Sequence, residues 1–256
     1  MQLKVQDFND TPDLVLLHGW GVNSGVFSSL IERLEPLHRL RLVDLPGFGM
    51  NNHVQVQQLS FPEYCQLIQD VIPAGATVAG WSLGGLVAQH IALQDSTPIA
   101  RQILICSSPC FLEGHDWPGI KQNVLQSFQQ QLKQDYMKTL ERFLAIQAMG
   151  SATAKADLRT IREQVKSGGV ANPGALERGL WFLQTVDLRA QLATNSIPTL
   201  RIFGGKDSLV PEKSRRVIEL LHPGADYHTF DKASHAPFIS HTDQFVKIFN
   251  DFLLNI

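Results

Sequence analysis

Ser82 lies in Gly80-Trp81-Ser82-Leu83-Gly84, a serine with a glycine two residues away on each side. A serine hydroxyl is a weak nucleophile until it is exposed, held rigidly and set beside a base. The apolar run Thr77-Val78-Ala79 before it reads as a strand, and Leu86 to Leu93 after it reads as a helix. A sharp strand-to-helix turn lifts the serine out of the sheet, and small flanking residues let the chain fold that tightly. The first turn of the helix also aims unpaired backbone N–H groups at the reacting centre. The chemistry this layout predicts is acyl transfer through a serine nucleophile.

Such a serine needs a base, and the base needs an orienting acid. In this kind of architecture the three follow the order serine, acid, histidine. Asp207 comes after the run Thr199-Leu200-Arg201-Ile202-Phe203 and the pair Gly204-Gly205, and His235 comes after the run Asp226 to Phe230. Both fall beyond the carboxyl ends of expected strands, where the active groups of parallel sheets collect. Asp207 and His235 are therefore the expected acid and base. His241 is the alternative base, while Asp231 and Asp187 read as surface or capping aspartates. The chain has nine histidines. Among the others, His38, His53, His115 and His222 have polar neighbours and are expected to be exposed. The oxyanion needs two aligned donors. One is expected from the Leu83 backbone N–H and the other from Trp20 in His18-Gly19-Trp20-Gly21, with the Trp20 ring shaping the pocket. His18 is read as a structural hydrogen-bonding residue, and Asp44-Leu45-Pro46-Gly47-Phe48-Gly49 as an architectural turn.

The elements that must carry these residues alternate along the chain. Strand-like runs at 14–17, 40–43, 77–79 and 102–106 are separated by helical spacing at 29–37, 61–71 and 86–93. Near-continuous apolar strands in this rhythm predict a mostly parallel sheet with helices on both faces. From Leu112 to Val186 the strand-like runs stop. Helical spacing covers 122–148 and 151–165, Ser167-Gly168-Gly169 breaks it, and 173–185 is helical again. The expected organisation is an α/β core of residues 1–111 and 187–256, with 112–186 inserted as a helical cap over the active edge. Strands at 199–203 and 226–230 and helices at 213–221 and 242–254 complete the core.

Composition excludes several classes. At 256 residues and 44% hydrophobic, the chain suits one large soluble domain. A net charge of −2 gives no reason to expect nucleic acid. No apolar run approaches the roughly 20 residues of a membrane span, and Met1 to Asp7 lacks the pattern of a leader. The three cysteines (Cys65, Cys106 and Cys110) lack the spacing of a disulfide framework or a zinc site. They read as small buried apolar residues in a reducing, cytoplasmic setting. Gly80 to Gly85 has neither the phosphate-loop lysine nor the dinucleotide glycine spacing, so no metal and no nucleotide cofactor are expected.

Charge is uneven. Lys121 to Lys166 carries a net +4 against −6 for the remainder. Lys138 and Arg142 are four apart, as are Lys155 and Arg159, which places each pair on one helical face. The pattern fits either a solvated surface or a docking patch for an acidic partner that bears the substrate.

These motifs resemble the α/β-hydrolase superfamily over essentially the whole chain. Within it they resemble the pimeloyl-[acyl-carrier protein] methyl ester esterases of biotin synthesis. The resemblance is carried by Leu16-Leu17-His18-Gly19-Trp20-Gly21, Gly80-Trp81-Ser82-Leu83-Gly84-Gly85, Ser107-Ser108-Pro109-Cys110-Phe111, Trp117-Pro118-Gly119-Ile120-Lys121, Glu141-Arg142-Phe143-Leu144-Ala145 and His235-Ala236-Pro237-Phe238-Ile239-Ser240-His241. It implies a cytoplasmic, cofactor-free monomer that cleaves the methyl ester of a pimeloyl chain borne by acyl carrier protein. It also implies that Ser82, Asp207 and His235 form the triad and that Trp20 and Leu83 bind the ester. Phe143, Leu144, Ala145, Ile146 and Gln147 would line the acyl channel, and Lys138, Arg142, Lys155 and Arg159 would meet the acidic carrier. Two of those four are lysine, which keeps charge but gives up bidentate pairing with carboxylates. The apolar cap residues Phe128, Phe143, Leu144, Met149, Trp181 and Phe182 either pack on the core or line the channel. The nearest alternatives are a broad short-chain carboxylesterase, a carbon–carbon hydrolase and the menaquinone-pathway lyase. A ligand receptor on the same fold is an alternative of a different class, and a full triad argues against it.

Overall fold

Leu14-Val15-Leu16-Leu17 is apolar at every position and buried at every position, as a strand covered on both faces must be. The computed structural model describes residues 2–11, 13–166, 168–169 and 171–254. In chain order its elements are β1 (Gln6–Asp7), β2 (Leu14–Leu17), α1 (Ser28–Leu34), β3 (Leu40–Val43), α2 (Phe61–Gln69), β4 (Ala76–Trp81), α3 (Leu83–Ala92), β5 (Ile99–Ile105), α4 (Gln122–Gln134), α5 (Tyr136–Ala148), α6 (Ala154–Lys166), α7 (Pro173–Thr185), β6 (Thr199–Gly204), α8 (Glu212–Leu221), β7 (Asp226–Phe230), α9 (Pro237–Ser240) and α10 (Thr242–Leu254).

The strands form one sheet in the order β1-β3-β2-β4-β5-β6-β7. All neighbours are parallel except the edge strand β1, which is antiparallel to β3. With a repeat of two, alternate strand residues face opposite sides. Val15, Leu17, Val78, Leu104 and Phe203 pack with α2, α3, α4, α7 and α8. Leu14, Leu16, Ala79, Ile103 and Ile202 pack with α1, α9 and α10 on the other side. The two-faced α/β sheet is as expected.

Four helices, α4 to α7, fill the stretch between β5 and β6. The chain leaves and returns side by side, because Cys110 and Asp187 form an antiparallel bridge. The run expected as one helical stretch over 122–148 is two helices. Asp135 breaks it with an extended backbone (φ −152°, ψ 91°), and its side chain accepts from the Lys138 N–H at 3.0 Å to start α5. Asx capping competes with helix continuation at this position. The two-residue β1 escaped the sequence reading because so short an edge strand has no periodicity to detect.

His222 corrects another expectation. It is buried, only 4% exposed, at the end of α8, and its Nδ1 accepts from Arg201 Nε at 3.3 Å. Burial, and then the Arg201 charge, push its pKa from 6.5 down to about 4. His38, also expected outside, is half-buried and bonded to Asn250. His53 and His115 are exposed.

Because the folded chain holds His222 neutral, the unfolded chain takes up its proton first as the pH falls. The contribution is therefore full above pH 6.5 and is lost between 6.5 and about 4. Thermal melts should show Tm dropping through this window. His222→Gln should make that part of the slope shallower, and an unchanged slope would reject the assignment.

Candidate active site

Ser82 follows β4 and caps α3 with φ 55° and ψ −115°, a conformation that a non-glycine residue holds only under strain. Its N–H donates to Ile105 O at 2.9 Å, and its C=O accepts from Gly85 N at 3.0 Å and Leu86 N at 3.1 Å. The flanking glycines are required by contact. A Cβ on Gly80 would lie 2.6 Å from Gly85 Cα, and one on Gly84 would run into the Leu17 and His18 carbonyls. Close nesting of α3 against β2 thus brings the Ser82 turn beside the loop after β2.

Asp207 and His235 come from the ends of β6 and β7. Their loops interlock, with Gly205 N on Phe230 O at 2.8 Å and Lys206 N on Ala233 O at 2.9 Å. Asp207 Oδ2 lies 2.7 Å from His235 Nδ1, and both side chains are about 1% exposed. Asp207 Oδ1 accepts from Leu209 N at 2.8 Å and Val210 N at 3.1 Å. The carboxylate is thereby held in place, with its Oδ2 turned to His235 Nδ1. The other nitrogen, His235 Nε2, is buried with no hydrogen-bond partner among the described residues. The imidazole packs 5.6 Å from the Trp81 ring, and Trp81 Nε1 donates to His235 O at 2.7 Å. His235 is therefore anchored to the residue that precedes Ser82.

Cys106 brings its thiol within reach of this pair; the ligand atoms of Cys106, Asp207 and His235 all lie within 4.8 Å of one another. Nδ1 and the carboxylate are spent on each other. Burial, and then the Asp207 charge, drive the thiol pKa well up, so it stays protonated. The trio is thus a hydrogen-bonded acid–base pair with a neutral thiol beside it. All three cysteines are free and buried.

The loop after β2 supplies the other wall. Trp20 is fully buried and its Nε1 donates to Leu176 O on α7 at 2.8 Å. Among the described residues, neither the Trp20 nor the Leu83 backbone N–H donates to a protein group. His18 serves the turn: its Nε2 accepts from Leu45 N at 2.9 Å, and its Nδ1 lies 2.7 Å from Gly19 O. Burial lowers its pKa, and the neutral ring locks β2 to the Asp44–Gly49 turn. There Asp44 accepts from Ser24 N at 2.6 Å and Met50 N at 2.8 Å.

Helix α5 lies against both the loop after β2 and His235. Leu140 stands over Gly21, Phe143 meets the Trp20 ring edge-on at 4.6 Å, and the Gln147 C=O accepts from His235 N at 3.0 Å. Phe143, Leu144 and Gln147 are buried, Ile146 is half-buried and Ala145 is exposed. One helix cannot turn five consecutive residues to one side, so Ala145 does not share the face of Phe143 and Gln147. Both amide atoms of Gln147 are buried without partners. Phe128 packs on Phe143, and Phe182 packs on Phe61 and Tyr64. Met149 and Trp181 are exposed. Lys138, Arg142, Lys155 and Arg159 are all exposed. Arg142 donates to Gln131 Oε1 at 2.9 Å, and Arg159 stands 4.0 Å from Glu163.

The alternatives fall elsewhere. His241 bonds Ser240 Oγ at 2.8 Å, Asp187 pairs with Arg189 at 2.6 Å, and Asp231 is exposed. Sequence reading gave no role to Arg201, Gln89 or Ser107. The one available signal was an arginine inside the apolar run Leu200–Phe203.

The Alpha/beta hydrolase family profile matches residues 14–248. The chain belongs to that family. It is 46% identical over 245 residues to a pimeloyl-[acyl-carrier protein] methyl ester esterase of Pseudoalteromonas atlantica, covering 95% of each chain. It is 44% identical over 253 residues to the esterase of the same name from Aeromonas salmonicida, covering 99% of this chain and 100% of the relative. These likenesses place the hydrolase among the pimeloyl-[acyl-carrier protein] methyl ester esterases. Among solved structures, an esterase from Exiguobacterium antarcticum superposes with a TM-score of 0.85 at 22% identity, covering 98% of this chain and 94% of that one. That similarity speaks for the fold.

Gly84→Ala should test the close approach at the nucleophile turn. Its new methyl has no room beneath the Leu17 and His18 carbonyls. A loss of about 1–3 kcal/mol in chemical denaturation is expected, together with a large drop in ester turnover. Unchanged stability would show that the turn can relax.

Proposed function

We propose that this carboxylic ester hydrolase removes the methyl group from pimeloyl-[acyl-carrier protein] methyl ester in biotin synthesis, releasing methanol and pimeloyl-carrier. Ser82, Asp207 and His235 are its triad. The chemistry rests on one observation: a buried Asp207–His235 pair whose Nε2 has no partner, anchored through Trp81 to the strained Ser82 turn. The substrate rests on the near-full-length relatives and their name.

His235 Nε2 takes the Ser82 proton as Oγ attacks the ester carbonyl. The Leu83 and Trp20 N–H groups, which have no protein acceptor among the described residues, receive the oxyanion. Protonated His235 then hands its proton to the departing methoxide. Water repeats the cycle on the acyl-enzyme, and Asp207 holds the imidazolium throughout. No cofactor or metal enters these steps.

Residues 112–186 act as a cap on the core of 1–111 and 187–256. Phe143, Leu144, Ile146 and Gln147 present the acyl channel, and Ala145 contributes backbone only. Lys138, Arg142, Lys155 and Arg159 form the docking surface for the acidic carrier, and their exposure supports that reading. No described helix is long and apolar enough to cross a membrane. The enzyme acts as a cytoplasmic monomer, with neither nucleic acid nor membrane as a partner.

Ser82→Ala should abolish methanol release from the carrier-borne ester, and Asp207→Asn should lower kcat by roughly 10⁴, the scale seen when a triad histidine loses its orienting acid. Methanol release that survives Ser82→Ala would reject the mechanism.

The Arg142→Glu/Arg159→Glu pair should depress kcat/KM for the carrier-borne ester about tenfold more than for a free methyl ester, and added salt should shrink that gap. Equal losses on both substrates would reject the docking surface.

A further inference from the structure

A buried cation without a carboxylate lies behind the nucleophile. Arg201, on β6, is fully buried, and its Nη1 has no partner among the described residues. Its Nη2 donates to Gln89 Oε1 at 3.0 Å. A guanidinium only donates, so it fixes the Gln89 amide with oxygen toward Arg201 and nitrogen away. Gln89 Nε2 then donates to Gly85 O at 3.2 Å, Ser107 Oγ at 3.4 Å and Ser108 O at 3.4 Å. With its oxygen accepting from Gln89, Ser107 sends its one proton to the Ser82 C=O at 2.8 Å. Every bond in this relay runs from the guanidinium, which can only donate, toward the Ser82 carbonyl, which can only accept.

The Ser82 carbonyl and the Leu83 N–H belong to the same planar peptide unit and point opposite ways. Whatever holds the carbonyl also aims the N–H. Gly85 and Leu86 N–H groups grip it as α3 winds, and Ser107 adds a grip from the end of β5. Donation to a carbonyl also polarises its amide and strengthens the N–H as a donor.

We propose that Ser107, backed by Gln89 and Arg201, is a positioning residue that aims and polarises the Leu83 N–H toward the oxyanion. The inference rests on the serine-hydrolase reading above.

The full chain is tested with p-nitrophenyl acetate as substrate, a trifluoromethyl ketone as oxyanion mimic and hexanoate as ground-state competitor. Deleting an oxyanion donor outright costs about 10²–10³ in kcat, so a misaimed donor in Ser107→Ala should cost about tenfold. Affinity for the ketone should fall by the same factor, while KM, hexanoate affinity and the midpoint of the pH profile stay put. Gln89→Met should act in the same direction but more weakly, at about threefold. The double variant should be no worse than Ser107→Ala alone, since both cut one relay. Ketone affinity unchanged in Ser107→Ala, or falling together with hexanoate affinity, would overturn the proposal. If Ser107→Ala does not fold, Gln89→Met decides by the same readout. Ser82→Ala is the control for the underlying reading. Turnover surviving in Ser82→Ala overturns that reading, whereas an inactive Ser82→Ala beside an unaffected Ser107→Ala overturns only the relay.

Discussion

The backbone of one residue governs this molecule. Ser82 adopts φ 55°, and an L-residue stays there only where its surroundings over-determine it. Here they do. The N–H is tied to β5 and the C=O to the first turn of α3. A third grip comes from Ser107. The glycines at 80 and 84 let helix, strand and neighbouring loop approach to a distance no side chain would permit. Parallel pairing of β2, β4, β5, β6 and β7 then brings every chemically useful loop to the same edge as the strained serine.

Those loops are held from the opposite side by the helices inserted between β5 and β6. Trp20 bonds α7 through Leu176 O. Asn23 bonds Val165 O at 2.9 Å and Gly169 O at 3.2 Å. Asn172 N bonds Gly47 O at 2.8 Å, and His235 N bonds Gln147 O at 3.0 Å. Ser234 Oγ adds a bond to Met149 O at 2.8 Å. The loops that carry the expected oxyanion donor and the base are therefore joined to the same set of helices by backbone acceptors. Movement of those helices would be felt at His235 itself.

Among the described residues, two buried groups around the Asp207–His235 pair lack partners, His235 Nε2 and the Gln147 amide. Leaving a buried polar atom unpaired costs about 1–3 kcal/mol, which a folded chain tolerates where a ligand supplies the missing bond. By contrast, Arg201 is a buried charge whose position serves its neighbours. Its Nη1 has no partner among the described residues, and its charge adds to the burial that lowers the His222 pKa.

Much of this was legible in the residues alone. Apolar runs such as Leu14–Leu17, each ending in a glycine-bearing loop, determined a parallel sheet, because only strands buried on both faces can be apolar throughout. Chain order and loop position singled out Asp207 and His235 among many aspartates and histidines. Local sequence could not reveal that Asp135 would cap a new helix instead of riding through one, or that His222 would be buried. Nor could it assemble Arg201, Gln89 and Ser107, which stand on β6, on α3 and just past β5. Each of those outcomes depends on what packs against the residue from a distant part of the chain. Periodicity and turn chemistry are short-range signals. Burial, hydrogen-bond direction and pKa are set by neighbours that only the folded chain supplies.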